Sequence, residues 1–147
     1  MKRISLLLCG LALLLITGCA TVTREQSAIT RTFRSSEIAT LNVIDEAAVA
    51  GGFQKISDHE YQRVIAKRKD PILGLITVSE QMDFGIGFTL ELESKPNATL
   101  VTVLPVTIVR MPFSETHYER TPLRPGTKYY ADIIRLMENA KARAEFQ

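Results

Sequence analysis

Past residue 19 this chain has no cysteine, and it has no tryptophan anywhere. Both of its cysteines, Cys9 and Cys19, stand near the amino terminus. The body of the chain therefore cannot build a disulfide scaffold, a cysteine-based zinc site or a cysteine nucleophile. Histidine is nearly as scarce, with only His59 and His117. No acidic residue precedes Cys19, whereas Lys2 and Arg3 do, so the formal charge of +2 belongs to the first residues alone. From Cys19 onward, 16 basic side chains face 16 acidic ones. A neutral body gives no electrostatic argument for nucleic acid, whose binders concentrate Lys and Arg on one face. The apolar run from Ile4 to Gly18 is also short. A helix crossing a bilayer needs roughly 20 such residues.

What is present at the amino terminus is a positive start, a leucine-rich run and a small-residue end, Thr17-Gly18. That order is the layout of a secretory signal, where small residues let a peptidase bind extended backbone. Ile16-Thr17-Gly18-Cys19 resembles the lipobox of bacterial lipoproteins: an aliphatic residue, a small residue, Gly or Ala, then Cys. The resemblance implies that Cys19 is the lipid attachment site. It would carry a thioether-linked diacylglycerol, the signal peptide of residues 1–18 would be removed, and the new amino terminus would be acylated, as with palmitate. Two or more acyl chains hold a protein stably, where one does so only marginally. The family's sorting rule retains chains with Asp after the cysteine in the inner membrane. Ala20 stands there instead and favours the outer membrane.

Residues 19–28 read as a tether and residues 29–147 as one domain; 147 residues are too few for two comfortable ones. Ile29 to Phe33 alternates as a short strand. Ser35 or Ser36 caps a helix whose stripe is Ile38, Leu41, Ile44, Ala48 and Val49, and Gly51-Gly52 stops it. Phe53–Ser57 and Arg63–Lys69 read as two strands, the second closed by Asp70-Pro71. Phe88 to Glu93 alternates strictly, with Phe88, Leu90 and Leu92 toward a core. A turn at Lys95-Pro96-Asn97 returns Thr99–Leu104 antiparallel, continuing to Arg110 past Pro105, which belongs at an edge or bulge. Residues 70–84 are ambiguous, and Ile72 to Val78 reads equally as a strand or as a covering loop. Residues 111–126 read as a loop. Thr127 caps a last helix with the stripe Tyr130, Ile133, Ile134, Met137 and Ala144; Asp132/Arg135 and Glu138/Lys141 are spaced to pair along it.

The expected fold is α+β: a small antiparallel sheet of about four to five strands packed against an early helix and a C-terminal helix. The order of elements, with Phe33 before the first helix, Gly52-Phe53 after it and Val64-Ile65-Ala66-Lys67 as a following strand, resembles a broad set of small, uncharacterised bacterial envelope lipoproteins. That resemblance supplies no catalytic residues.

Chemistry-bearing patterns are sparse. Asp58-His59-Glu60-Tyr61 and Glu115-Thr116-His117-Tyr118-Glu119 each place a histidine among acids. Converging, His59 and His117 would offer imidazole and carboxylate ligands to a metal. No His-Glu-x-x-His spacing fixes them on one surface, and each reads more readily as a polar turn with a surface histidine. Phe84-Gly85-Ile86-Gly87-Phe88 lacks the third glycine and the following helix of a phosphate-binding loop, so its glycines read as a bend or bulge. No Gly-x-Ser-x-Gly elbow occurs. Glu91 and Glu93 read as the solvated face of a strand, and Asn97-Ala98-Thr99 as a turn rather than a glycosylation site. The least ordinary stretch is Leu100–Val109, apolar on both faces. One face suits the helices; the other needs cover from a loop, a partner or an apolar ligand.

The expectation is a lipid-anchored envelope protein, not an enzyme and without a cofactor, whose domain faces the periplasm as a binding or structural module for another envelope protein. The alternative is a carrier or sensor for a lipid or other apolar ligand.

Overall fold

The computed structural model describes residues 21–71, 78–111 and 117–146, leaving aside the side chains of residues 68–71 and 78–81. The elements are α1 (Arg24–Ser27), β1 (Ile29–Phe33), α2 (Glu37–Ala50), β2 (Gln54–Ser57), β3 (Glu60–Pro71), β4 (Val78–Lys95), β5 (Ala98–Arg110), β6 (Tyr118–Pro122) and α3 (Lys128–Glu145). The fold is α+β, an antiparallel sheet of six strands with α2 and α3 on one face. The strand order is β1-β5-β4-β3-β2, and β6 pairs β5 beside β1.

The strand alternation builds the core directly. Phe88 and Leu90 on β4 and Val101 and Val103 on β5 are buried on one face, joined by Ile29, Phe33 and Tyr61. Each such side chain gains about 1.5–3 kcal/mol from leaving water. Tyr61 stacks on Phe88 at 4.7 Å between ring centroids, and Phe53 meets the same ring edge-on at 5.2 Å. From the helices Val43, Ile44, Ala48, Ile133, Met137 and Ala140 close the space. Among the described residues, therefore, the gap between sheet and helices is filled by side chains.

Helix α2 begins at Ser36, whose hydroxyl accepts from the Ala39 amide at 3.4 Å. It ends where Gly52, at φ +77°, lets the chain turn back so that the Phe53 amide reaches the Ala48 carbonyl at 2.9 Å. The face it buries is not the expected stripe. Thr40, Val43, Ile44, Ala47 and Ala48 are buried, whereas Ile38 is 74% and Val49 71% exposed. Apolar residues lie all round this helix, so the sequence period does not choose a face. The choice falls to small Thr40, Ala47 and Ala48, which allow close approach, and the Thr40 hydroxyl is matched by Ser35 Oγ at 2.7 Å. Helix α3 follows expectation more closely. Thr127 caps it, and Ile133 and Met137 are buried; Tyr130, Ile134 and Ala144 are partly so. Its charges do not pair along the helix: Asp132 binds Arg63 of β3 at 2.9 Å and Glu138 binds Arg31 of β1 at 2.6 Å.

Three further expectations change. The sheet has six strands rather than four to five. Part of the 111–126 stretch is strand β6, pairing with Val106–Arg110. Tyr118-Glu119-Arg120-Thr121-Pro122 is too polar and short to announce itself, and backbone hydrogen bonds to β5 make it. The strands around residues 70–84 run far longer than expected, β3 and β4 pairing out to Pro71 and Val78. Residues 72–77, where a strand or loop was open, lie outside the described residues. Gly85 and Gly87 keep regular register with Val64 and Gln62; the irregularities lie just beyond them, at Ile65 on β3 and Asp83 on β4. Gly87 permits a close approach, since a Cβ there would lie 2.7 Å from the Tyr61 carbonyl oxygen.

Candidate functional site

The first described residues build a groove where α1, β5 and β6 meet. Thr23 and Gln26 close a reciprocal capping box at the start of α1, with bonds of 3.3 and 3.0 Å. Its first-turn Glu25 has a carboxyl held below its ordinary value by its own backbone amide and then by Thr23. A four-residue helix does not stand alone in water. Docking holds this one: buried Ser27 donates through Oγ to the Pro105 carbonyl at 3.2 Å, and Arg24 forms an ion pair with Glu91 of β4. Residues 24–27 are thus part of the domain, and the stretch read as a tether is shortened at its far end.

Pro105 explains why the groove lies there. On that side of β5, β1 pairs as far as Val103 and β6 pairs from Val106. The residue that cannot donate a backbone hydrogen bond stands in the joint between them, a local edge as a strand proline requires. Its carbonyl points into the joint, accepting from Ser27 Oγ and, at 2.9 Å, from the Leu123 amide. The joint leaves a concavity of about 340 Å³ lined by Leu104, Pro105, Val106, Pro122, Thr89 and Ser27, with Arg24 and Arg120 beside them. Arg120 is ion-paired to Glu60, as Arg24 is to Glu91, so neither cation stands free and the lining acts as an apolar surface. The volume is at the low end of the range of about 300–1,000 Å³ for small-molecule sites. Leu104 and Ile108, buried on this strand but outside the main core cluster, are the second apolar face of Leu100–Val109.

The histidines do not converge. His59 is in the β2–β3 turn, where its carbonyl accepts from Leu90, the partner of Val103. His117 precedes β6, and its carbonyl accepts from Met111. Val103 and Met111 are eight residues apart along β5, about 26 Å at ~3.3 Å per residue. Among the described residues no three His, Cys, Asp or Glu gather as metal ligands. Cys19 lies outside the described residues. Pattern reading singled out the two-faced strand but missed Arg24, Ser27, Arg120 and Pro122. The signal available was Pro105 interrupting an apolar run.

A comparison with protein-family models finds none that matches the chain, and a comparison with curated proteins finds none either.

Proposed function

We propose that this chain is a lipid-anchored envelope protein whose α+β domain is a non-catalytic binding module for another envelope component, held close to the membrane. The observation carrying this reading is the docking of α1. Between the lipobox cysteine and Arg24 run only residues 20–23. An extended chain covers at most ~3.3–3.6 Å per residue, so five steps from Cys19 reach about 18 Å. The groove beside α1 is therefore membrane-proximal, on the side of the domain that the anchor presents to the bilayer surface. An apolar groove with neutralised arginines suits a partner side chain or short segment better than a charged headgroup.

The second reading, a carrier of an apolar ligand, draws on the same groove lined by Leu104, Pro105 and Val106. Its volume would take one small apolar group.

The anchor is tested with Cys19→Ser. Expected are unlipidated, uncut precursor and loss of acyl mass by mass spectrometry; normal processing and membrane retention of the variant would overturn the reading. Mass spectrometry of protein extracted gently from membranes separates module from carrier. A stoichiometric protein partner lost in Val106→Asp supports the first, and a bound lipid lost in the same variant supports the second.

A further inference from the structure

On the helix side lies a second concavity, independent of the groove and of the anchor. It opens between the end of α2 and α3, over β3, with a volume of about 220 Å³. Its floor is apolar: Ala47, Phe53 and Leu136. Its walls carry three arginines against one acid, Arg63, Arg135 and Arg143 against Asp132.

The three arginines are not equally occupied. Arg63 is held at both terminal nitrogens: Nη1 donates to the Gly51 carbonyl at 3.0 Å, Nη2 to Asp132 at 2.9 Å, and the guanidinium lies over the Phe53 ring at 4.8 Å, while its buried Nε has no hydrogen-bond partner among the described residues. It is a fixed wall, with Asp132 neutralised against it. Among the described residues the Arg143 side chain has only the exposed Glu46 at 3.4 Å, the kind of surface pair worth little. The Arg135 side chain makes no hydrogen bond or ion pair among the described residues. Arg135, Asn139 and Arg143 follow each other at four-residue steps on α3, one stripe with ~6 Å between successive side chains. Every group of that stripe can donate hydrogen bonds, and all three line the concavity.

We propose that this cleft binds a small oxyanion, a phosphate group held by the Arg135–Asn139–Arg143 stripe over the apolar floor. Two planar guanidinium forks flanking an amide match the geometry of a phosphate, which accepts paired N–H donors along its oxygen edges. The Arg63–Asp132 pair keeps the back wall rigid and leaves the cleft's remaining charge positive. Glu46 is the built-in competitor, and Arg143 leaves it when the anion enters. The phosphate is either free or the headgroup of an anionic lipid.

The test measures the thermal midpoint of the full chain in nonionic detergent. Inorganic phosphate is titrated against chloride at matched ionic strength. In a second arm the detergent is removed and the chain is reconstituted into vesicles of phosphatidylglycerol or of phosphatidylcholine. The expected result is a saturable rise with one of the two phosphate sources. Arg135→Gln, whose side chain holds nothing in the fold, should leave the ligand-free midpoint unchanged and weaken binding at least tenfold. Arg135→Lys should recover part of it. A rise with inorganic phosphate identifies a free-phosphate site, and one with phosphatidylglycerol alone a headgroup site. No phosphate-specific rise in either arm, or an undiminished rise in Arg135→Gln, overturns the proposal.

Discussion

Gly87 shows how much one missing methyl decides. It pairs with Val106 of β5 and Gln62 of β3, and a Cβ at this position would meet the Tyr61 carbonyl at 2.7 Å and Ile108 Cδ1 at 3.1 Å. The first contact is with backbone in a paired strand, which cannot step aside. Gly87→Ala should therefore destabilise the fold by about 1–3 kcal/mol, the usual cost of overpacking. A lower urea midpoint with an unchanged slope would show it, and an unchanged midpoint would mean that β3 and β4 can part locally. In the sequence Gly85 and Gly87 are legible as special, but not why. The pattern Gly-x-Gly fits a phosphate loop, a bulge and a close strand approach alike, and only the neighbouring strand distinguishes them.

At the scale of elements, the outer end of the β3–β4 pair has no third strand among the described residues. β5 partners β4 from Lys95 back to Phe84, so among the described residues Lys67–Pro71 and Val78–Met82 pair only with each other. A two-stranded ribbon is marginal in water without a third strand or a helix. Amide exchange should accordingly be at least about tenfold faster over residues 67–71 and 78–82 than over Phe88–Leu92, which has strands on both sides. Equal protection across β4 would show that the outer ribbon is held by something else. The elements also differ in legibility. Phe88–Glu93 and α3 announce themselves, because one face is apolar and the other charged, at a single period. Helix α2 announces its existence and its ends but not its face, since Ile38 and Val49 are as apolar as the residues it buries. Strand β6 and helix α1 are nearly silent: each is short and polar and exists through bonds to β5.

For the whole molecule, Tyr61 joins the layers. Its ring stacks on Phe88 of the sheet, and its hydroxyl donates to Asp45 of α2, which also binds Lys55 of β2 at 2.9 Å. Burial, then the bond to Asp45 and that residue's negative charge, push the phenol well above its ordinary value of 10.0. The folded chain thus holds this proton more tightly than the unfolded one. The contribution to stability is intact below pH 10.0 and is lost as pH rises from there toward the folded value. The denaturation midpoint should fall above about pH 10, and less steeply in Tyr61→Phe, which has no phenol to titrate there. Identical alkaline profiles for the two proteins would remove Tyr61 from that role.

The proposed lipid anchor rests on the amino-acid order by itself. A positive start, a short apolar run and Ile-Thr-Gly-Cys are local features that processing enzymes would read on an extended chain, so the proposal needs no folding to expose them. Alternation and helical spacing likewise sufficed for an antiparallel sheet with two helices, because each period is set by local backbone geometry. Tertiary structure alone decided which face α2 buries, that β6 exists, that His59 and His117 stand far apart, and where the clefts lie. Those depend on which residues distant in sequence meet: the groove at Pro105 needs α1, β5 and β6, and the arginine cleft needs α2, β3 and α3. No local pattern encodes such a meeting.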